Sequence, residues 1–154
     1  MGVEIRWGKG ARAMSLFGKR KSAPARILIV EDEPLVAFDN EHFLRDAGYS
    51  VSATVDNAVD AIATIRASPP DLVLADVRLS DGGTGIEVAE AARDKSVPVM
   101  FVTGACPPDA RSLAVGCLSK PYTQRDLLAA IEAVRAKVAG KPVGRVPRGL
   151  TLFA

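Results

Sequence analysis

The chain has 154 residues, of which 48% are hydrophobic, a size that suits one domain with one core and excludes two full domains. Its longest apolar runs, at 27–30 and 97–102, have the length of strands and fall far short of the roughly 20 residues that a membrane-spanning helix needs, so no membrane association is expected. No secretory signal is evident, and Cys106 and Cys117 have no metal-binding or redox spacing. We therefore predict two free thiols and a cytoplasmic location.

The near-neutral total charge of +2 hides an uneven distribution. Residues 27–136 carry 9 Lys and Arg against 17 Asp and Glu, whereas the two flanks carry 11 against 1. Basic ends can attract nucleic acid or anionic lipid, but solvated ends are the commoner explanation, and we expect no nucleic-acid partner. We predict a flexible basic leader at 1–25, a domain at 26–138 and a tail at 139–154. The tail is too short for an output domain, although its apolar residues could dock on the domain.

From residue 26 onward, β-branched strand segments alternate with amphipathic helical segments. Strands are predicted at 26–30, 49–54, 72–75, 98–103 and 116–119, with helices between them and a last helix at 123–138. This order predicts an α/β fold, a doubly wound five-stranded parallel sheet with the flavodoxin-like strand order 2-1-3-4-5. Two prolines leave only residues 109–115 for the fourth helix, which should be short or irregular.

Chemically active side chains fall at the carboxyl ends of the predicted strands, where ligands of such sheets bind. They are Glu31, Asp32 and Glu33 after the first strand, Asp76 after the third, Thr103 at the end of the fourth and Lys120 after the fifth. Crowded carboxylates need a neutralising cation, and Mg²⁺ prefers such oxygen ligands. A carboxylate nucleophile, an ammonium and a hydroxyl beside Mg²⁺ suit phosphoryl transfer and predict an aspartyl phosphate.

The motifs at these strand ends resemble those of response-regulator receiver domains, over about residues 25–138. They are ILIVEDEP at 27–34, LVLAD at 72–76, FVTG at 101–104 and SKP at 119–121. The resemblance implies that Glu31, Asp32, Asp76 and the backbone carbonyl of Arg78 hold Mg²⁺. It also implies that Asp76 accepts a phosphoryl group from a sensor histidine kinase or phosphotransfer protein. In that family Lys120 would pair with the phosphoryl group and Thr103 would report its arrival, and such proteins are phosphoacceptors that can catalyse their own phosphorylation and dephosphorylation.

Two features depart from the usual pattern of that family. Cys117 stands where most receivers have an aromatic residue, and the stretch from Thr103 to Lys120 is short. The motif Phe-x-Thr-Gly and the missing aromatic are similar to those of single-domain receivers of bacterial stress signalling. That likeness implies a phosphorelay component or phosphate sink without a DNA-binding domain, as a monomer or weak dimer.

Simpler explanations exist for several of these residues. Glu31 and Asp32 could cap the first helix, Glu33 is expected to cap it or to face solvent, and Arg78 could modulate access to the acceptor. His42 is expected to be a surface residue of the first helix. Two other functions stay open: an interaction module that binds its partner regardless of phosphorylation, and a nucleic-acid binder that uses the basic ends.

Overall fold

The computed structural model describes residues 24–153, in which six strands and five helices alternate. The strands are β1 (Arg26–Val30), β2 (Ser50–Val55), β3 (Leu72–Ala75), β4 (Val99–Thr103), β5 (Gly116–Ser119) and β6 (Leu150–Leu152). The helices are α1 (Pro34–Asp46), α2 (Ala58–Ala67), α3 (Gly85–Asp94), α4 (Ala110–Leu113) and α5 (Gln124–Val138). Within this described range, no helix is long and apolar enough to cross a membrane.

The strands form one sheet in the order β2-β1-β3-β4-β5-β6. β1 to β5 are parallel, which confirms the predicted doubly wound sheet and its strand order. β6 is an addition to that prediction, since it pairs antiparallel with β5 in a region predicted to be a tail. Because β6 covers the outer edge of β5, the backbone groups on that edge are hydrogen-bonded rather than open.

Hydrophobic side chains alternate between the two faces of the sheet, as the two-residue period of a strand requires. From β1, Ile27 and Ile29 pack with side chains of α1 and α5 on one face. Leu28 and Val30 pack with α2, α3 and α4 on the other face. The sheet is therefore buried on both sides, and its carboxyl edge is left to carry polar groups.

The C-terminal strand is held by a close backbone approach and by one aromatic anchor. A Cβ atom at Gly116 would lie 2.8 Å from the carbonyl oxygen of Thr151, so glycine lets β6 approach β5 closely. Phe153 is 7% exposed and packs in the α2–α3–α4 face of the core. The guanidinium carbon of Arg111 lies 5.7 Å from the centre of the Phe153 ring. The tail thus contributes to the core as well as to the sheet.

The fourth helix is short, as predicted. α4 has four residues, and Ala114 after it is extended, with φ −134° and ψ 160°. By contrast α3 and α5 begin with complete capping boxes at Thr84 and Thr123, in which side chains satisfy the free N–H groups of the first turn. α4 has no side-chain cap at Asp109, which fits its small length.

The prediction of two free thiols was wrong, because Cys106 and Cys117 form a disulfide. Their Cα atoms are 6.3 Å apart, within the usual range for such bonds. Pairing of β4 with β5 places Phe101 opposite Cys117, and the loop after β4 turns back so that Cys106 lies near the same strand. This proximity depends on the path of that loop, which no spacing rule describes.

Candidate functional site

The polar strand ends meet in one cavity at the carboxyl edge of the sheet. The order β1-β3-β4-β5 brings these ends side by side, around a cavity of about 590 Å³. Asp32, Asp76, Arg78, Thr103 and Lys120 line this cavity. Residues as much as 88 positions apart in the sequence are thus neighbours in space, as the sheet topology predicts.

Three carboxylates in this region are close enough to share a cation. Glu31, Asp32 and Asp76 each offer an oxygen, and these atoms lie within 4.8 Å of one another. Oxygens on opposite sides of a Mg²⁺ ion lie about 4.2 Å apart, because each Mg–O bond is about 2.1 Å long. The spacing and the hard oxygen donors therefore fit Mg²⁺ with small movements of the side chains.

Lys120 lies among the carboxylates as their positively charged partner. Its Nζ is 2.9 Å from Oδ2 of Asp76, 3.0 Å from Oε1 of Glu31 and 3.0 Å from Oε1 of Glu33. Burial by itself would lower the pKa of Lys120, but hydrogen bonds to Asp76, Glu31 and Glu33 outweigh it and raise the pKa above its ordinary value. The side chain is therefore a fixed ammonium, and the peptide bond to Pro121 that follows it is cis.

Glu31 is the most buried of the acidic side chains, with 4% exposure. Burial raises its pKa above the ordinary value, and the hydrogen bond with Lys120 opposes that effect. Its Oε2 also accepts a hydrogen bond of 3.1 Å from the backbone N–H of Glu33. Glu31 thus holds the turn between β1 and α1, and its charge depends on a nearby cation.

Hydrogen bonds fix both the side chain and the backbone of Asp76. Its Oδ1 accepts a 2.7 Å hydrogen bond from the backbone N–H of Val77, and its Oδ2 accepts one from Lys120. Its backbone N–H donates to the carbonyl oxygen of Val30 on β1. A Cβ atom at Gly85 would collide with the carbonyl oxygen of Asp76, so this glycine allows α3 to begin against the strand end. The carboxylate is positioned and still 12% exposed.

Thr103 and Arg78 also lie where the strand order predicts. Thr103 is 5% exposed, and its carbonyl oxygen accepts a hydrogen bond of 2.9 Å from the backbone N–H of Lys120. Arg78 is exposed, forms an isolated bridge with Thr84 and lines the cavity two residues after Asp76. Both residues are thereby placed at the cavity that contains the carboxylate of Asp76.

Sequence reasoning missed two contacts beside the site. Glu33, expected to cap the helix or to face solvent, stands at the N-cap position without a side-chain cap hydrogen bond, is 61% exposed and pairs with Lys120. Tyr122 accepts a hydrogen bond of 2.9 Å from the side-chain amide of Asn40, and its burial raises its pKa. The apolar spacing of α1 could have located Asn40, because Ala37, Asn40 and Leu44 share the buried face of that helix. His42 is exposed on α1, as expected.

Comparison with known proteins agrees with the geometry. Residues 27–132 match the family model of the response regulator receiver domain. The chain is 38% identical over 79 residues to the phyllosphere-induced regulator PhyR of Methylorubrum extorquens, an alignment that covers 50% of this chain and 30% of that protein. It is 33% identical over 117 residues to the transcriptional regulatory protein PdtaR of Mycobacterium tuberculosis, which covers 72% of this chain and 57% of PdtaR. The chain thus spans less than two thirds of the length of either relative.

The fold agrees with a solved receiver structure as well. The receiver domain of PhyR from Erythrobacter litoralis superposes with a TM-score of 0.66 at 26% identity, covering 80% of this chain and 98% of that one. Receiver domains typically bind Mg²⁺ at an acidic pocket, and the described residues contain an acidic cluster at the carboxyl edge of the sheet. On its fold, its acidic strand ends and the match over 27–132, this chain belongs to the response-regulator receiver family.

Proposed function

We propose that the protein accepts a phosphoryl group on Asp76 from a sensor histidine kinase or a phosphotransfer protein. The observation that carries the proposal is the contact between Lys120 and Asp76 inside a cluster of three carboxylates. A nucleophilic carboxylate next to a fixed ammonium and a Mg²⁺-compatible oxygen set is suited to phosphoryl transfer. We further propose that the phosphorylated chain acts as a relay component or phosphate sink in the cytoplasm.

In the proposed step, a carboxylate oxygen of Asp76 forms a bond to phosphorus. The phosphorus–nitrogen bond of the donor phosphohistidine breaks, and the released imidazole takes up a proton. Lys120 turns from the Asp76 oxygen to the transferred group, whose negative charge it balances. The hydroxyl of Thr103, at the same cavity, donates to one phosphoryl oxygen. Glu31, Asp32, Asp76 and the backbone carbonyl of Arg78 would hold Mg²⁺, which supplies neutralising charge to carboxylates and phosphoryl oxygens when bound.

The surface beside the site supports a protein donor. Leu35 and Phe38, on the first two turns of α1, are 78% and 59% exposed. α1 begins directly after β1, so this apolar surface lies at the same edge of the sheet as Asp76. Exposed apolar groups beside a reactive carboxylate suit the docking of a helical partner that brings the phosphohistidine close.

The test is a phosphate-affinity gel after incubation with acetyl phosphate and Mg²⁺. We expect a retarded band for the wild type, no such band for Asp76→Asn and none when a chelator removes Mg²⁺. Asp94→Asn, at the far end of α3 and exposed, is the matched control and should behave as the wild type. If acetyl phosphate and a histidine kinase both fail to label Asp76, the proposal is wrong.

A second candidate is a module that binds its partner regardless of phosphorylation. The observation in its favour is Cys117, which is fixed in a disulfide at the position where most receivers have a rotating aromatic residue. Partner affinity separates the two functions. Equal affinity of the wild-type protein with and without phosphoryl donor, and of Asp76→Asn, would favour the second candidate.

A further inference from the structure

The disulfide joins an accessible sulfur position to a buried one. Cys106 is exposed in the loop that follows β4, whereas Cys117 on β5 is 0% exposed. Cys117 packs in the same core cluster as Phe101, Ala110 and Phe153. One residue of the pair thus lies at the surface, and the other lies within the face of the sheet that α4 covers.

The two cysteines lie between two residues of the phosphoryl site, each cysteine three positions from one of them. Thr103 lies three residues before Cys106, and Lys120 lies three residues after Cys117. β4 and β5 are paired up to Thr103 and Ser119, and the backbone N–H of Lys120 donates to the carbonyl of Thr103. The disulfide therefore ties the loop that leaves the site to the strand that leads into it.

The backbone of the segment between the cysteines is weakly anchored to the rest of the domain. The hydrogen bonds of residues 107–114 stay within the segment, such as those from the N–H of Ala110 to Pro107 and from the N–H of Ala114 to Ala110. The next bond to the sheet is from the N–H of Val115 to Val99. Two successive prolines lack N–H donors. Ala110 is buried, Leu113 and Ala114 pack against the core, and Arg111 lies over the ring of Phe153, so the disulfide adds a covalent tie to these side-chain contacts.

We propose that Cys106 and Cys117 are a reversible thiol–disulfide site that controls phosphoryl acceptance at Asp76. The inference rests on the proposed function, because it concerns phosphorylation of Asp76 in the cytoplasm. Disulfides of cytosolic proteins are generally transient and redox-active rather than structural. In the oxidised form the loop after Thr103 is tied to β5 and cannot readily adjust around an incoming phosphoryl group. In the reduced form this loop is released, and the hydroxyl of Thr103 gains the freedom to approach the phosphoryl oxygens.

The oxidant that converts the two thiols into the Cys106–Cys117 bond is itself a disulfide compound. The thiolate of the exposed Cys106 attacks one sulfur of the oxidant, which forms a mixed disulfide and releases one thiolate. The thiolate of Cys117 then attacks the Cys106 sulfur, forms the internal bond and releases the second thiolate. The two protons lost by the cysteines pass to the two released thiolates. The protein loses two electrons, and the oxidant is reduced to two thiols.

The test compares the full chain in both redox states. When maleimide is added under denaturing conditions, protein treated beforehand with oxidised glutathione should react with none, whereas protein treated with a reductant and desalted should react with two. With acetyl phosphate and Mg²⁺, we expect reduced protein to be phosphorylated about fivefold faster than oxidised protein, at the lower end of usual couplings between sites. Cys106→Ser, a change at an exposed loop position, should react at the reduced rate after either treatment.

The possible results separate the failure of the redox control from the failure of the proposed function. If both thiols stay reactive toward maleimide after oxidised glutathione, no redox site exists and this inference is wrong. If the pair forms but both states are phosphorylated at the same rate, or the oxidised state reacts faster, the control of Asp76 is refuted. If neither state nor Cys106→Ser is phosphorylated by acetyl phosphate or by a histidine kinase, the proposed function fails, and the inferred control fails with it.

Discussion

Replacement of Lys120 by Gln should destabilise the protein through the carboxylates that it leaves behind. Glu31 is 4% exposed and Asp76 12% exposed, and both contact the ammonium at about 3 Å. Removal of one partner of a buried ion pair costs about 3–5 kcal/mol. Since Lys120 is itself 20% exposed, we expect a loss of about 2–3 kcal/mol, at or below the lower end of that range. Exposed Glu33 adds little to this loss.

The loss should depend on pH with a definite sign. Burial already raises the pKa of Glu31, and removal of the ammonium raises it further. A carboxyl whose pKa is higher in the folded state stabilises that state at low pH, and this contribution disappears as the pH rises through the folded-state pKa. The deficit of Lys120→Gln relative to the wild type should therefore be smaller at pH 5 than at pH 8.

Added Mg²⁺ should also reduce the deficit, because the ion takes the place of the missing positive charge. A ligand at 100 times its dissociation constant stabilises the folded state by about 2.7 kcal/mol. Urea denaturation at pH 5 and pH 8, with Mg²⁺ or a chelator, measures all of these effects. Lys141→Gln, an exposed lysine after α5, is the control. A Lys120→Gln deficit equal to that of the control, or one unaffected by pH and Mg²⁺, would refute this reasoning.

Two packing predictions can be checked by the same urea titrations. Gly85→Ala should lower the free energy of unfolding by about 1–3 kcal/mol and slow phosphorylation, because the new methyl group displaces the backbone of Asp76. Gly104→Ala, which has open space around its Cβ position, should change stability by less than about 0.5 kcal/mol, and equal losses for the two variants would contradict the packing argument. Phe153→Ala should cost about 3 kcal/mol because it empties a buried position, whereas the 44% exposed Val146→Ala should be nearly neutral. A neutral Phe153→Ala would show that the aromatic residue after β6 does not contribute to the core.

The sheet and the acidic edge could be predicted because the signals are local and periodic. Continuous apolar runs such as Leu72–Ala75 identify strands that are buried on both faces, and the strand order then follows from general rules of chain topology. Once the order is known, polar residues that end neighbouring strands must lie close together. Glu31, Asp76 and Lys120 are brought together in this way without any local sequence pattern that joins them.

The remaining features depend on tertiary contacts that leave little trace in the sequence. β6 has three residues, and it pairs with β5 across 30 intervening residues, which comprise α5 and a segment at 140–149 that is rich in Gly and Pro. The apolar residues of β6 indicate that it docks on the domain, but they identify neither the strand with which it pairs nor the antiparallel direction. The bond between Cys106 and Cys117 depends on the path of a loop with two prolines. The ion pair of Glu33 depends on how far Lys120 extends across the cavity.

The acidic edge is that of a receiver, whereas the β5–β6 end of the sheet is covered and covalently tied. α4 has four residues, β6 covers the edge of β5, and Cys117 is covalently fixed. A signal needs an element with two stable arrangements that the phosphoryl group can bias. Two exposed segments near Asp76 could serve as such an element: the loop after Thr103, once its disulfide is reduced, and the side chains at the start of α1. A partner that distinguishes the phosphorylated form should therefore contact one of these two segments rather than the surface formed by β5 and β6.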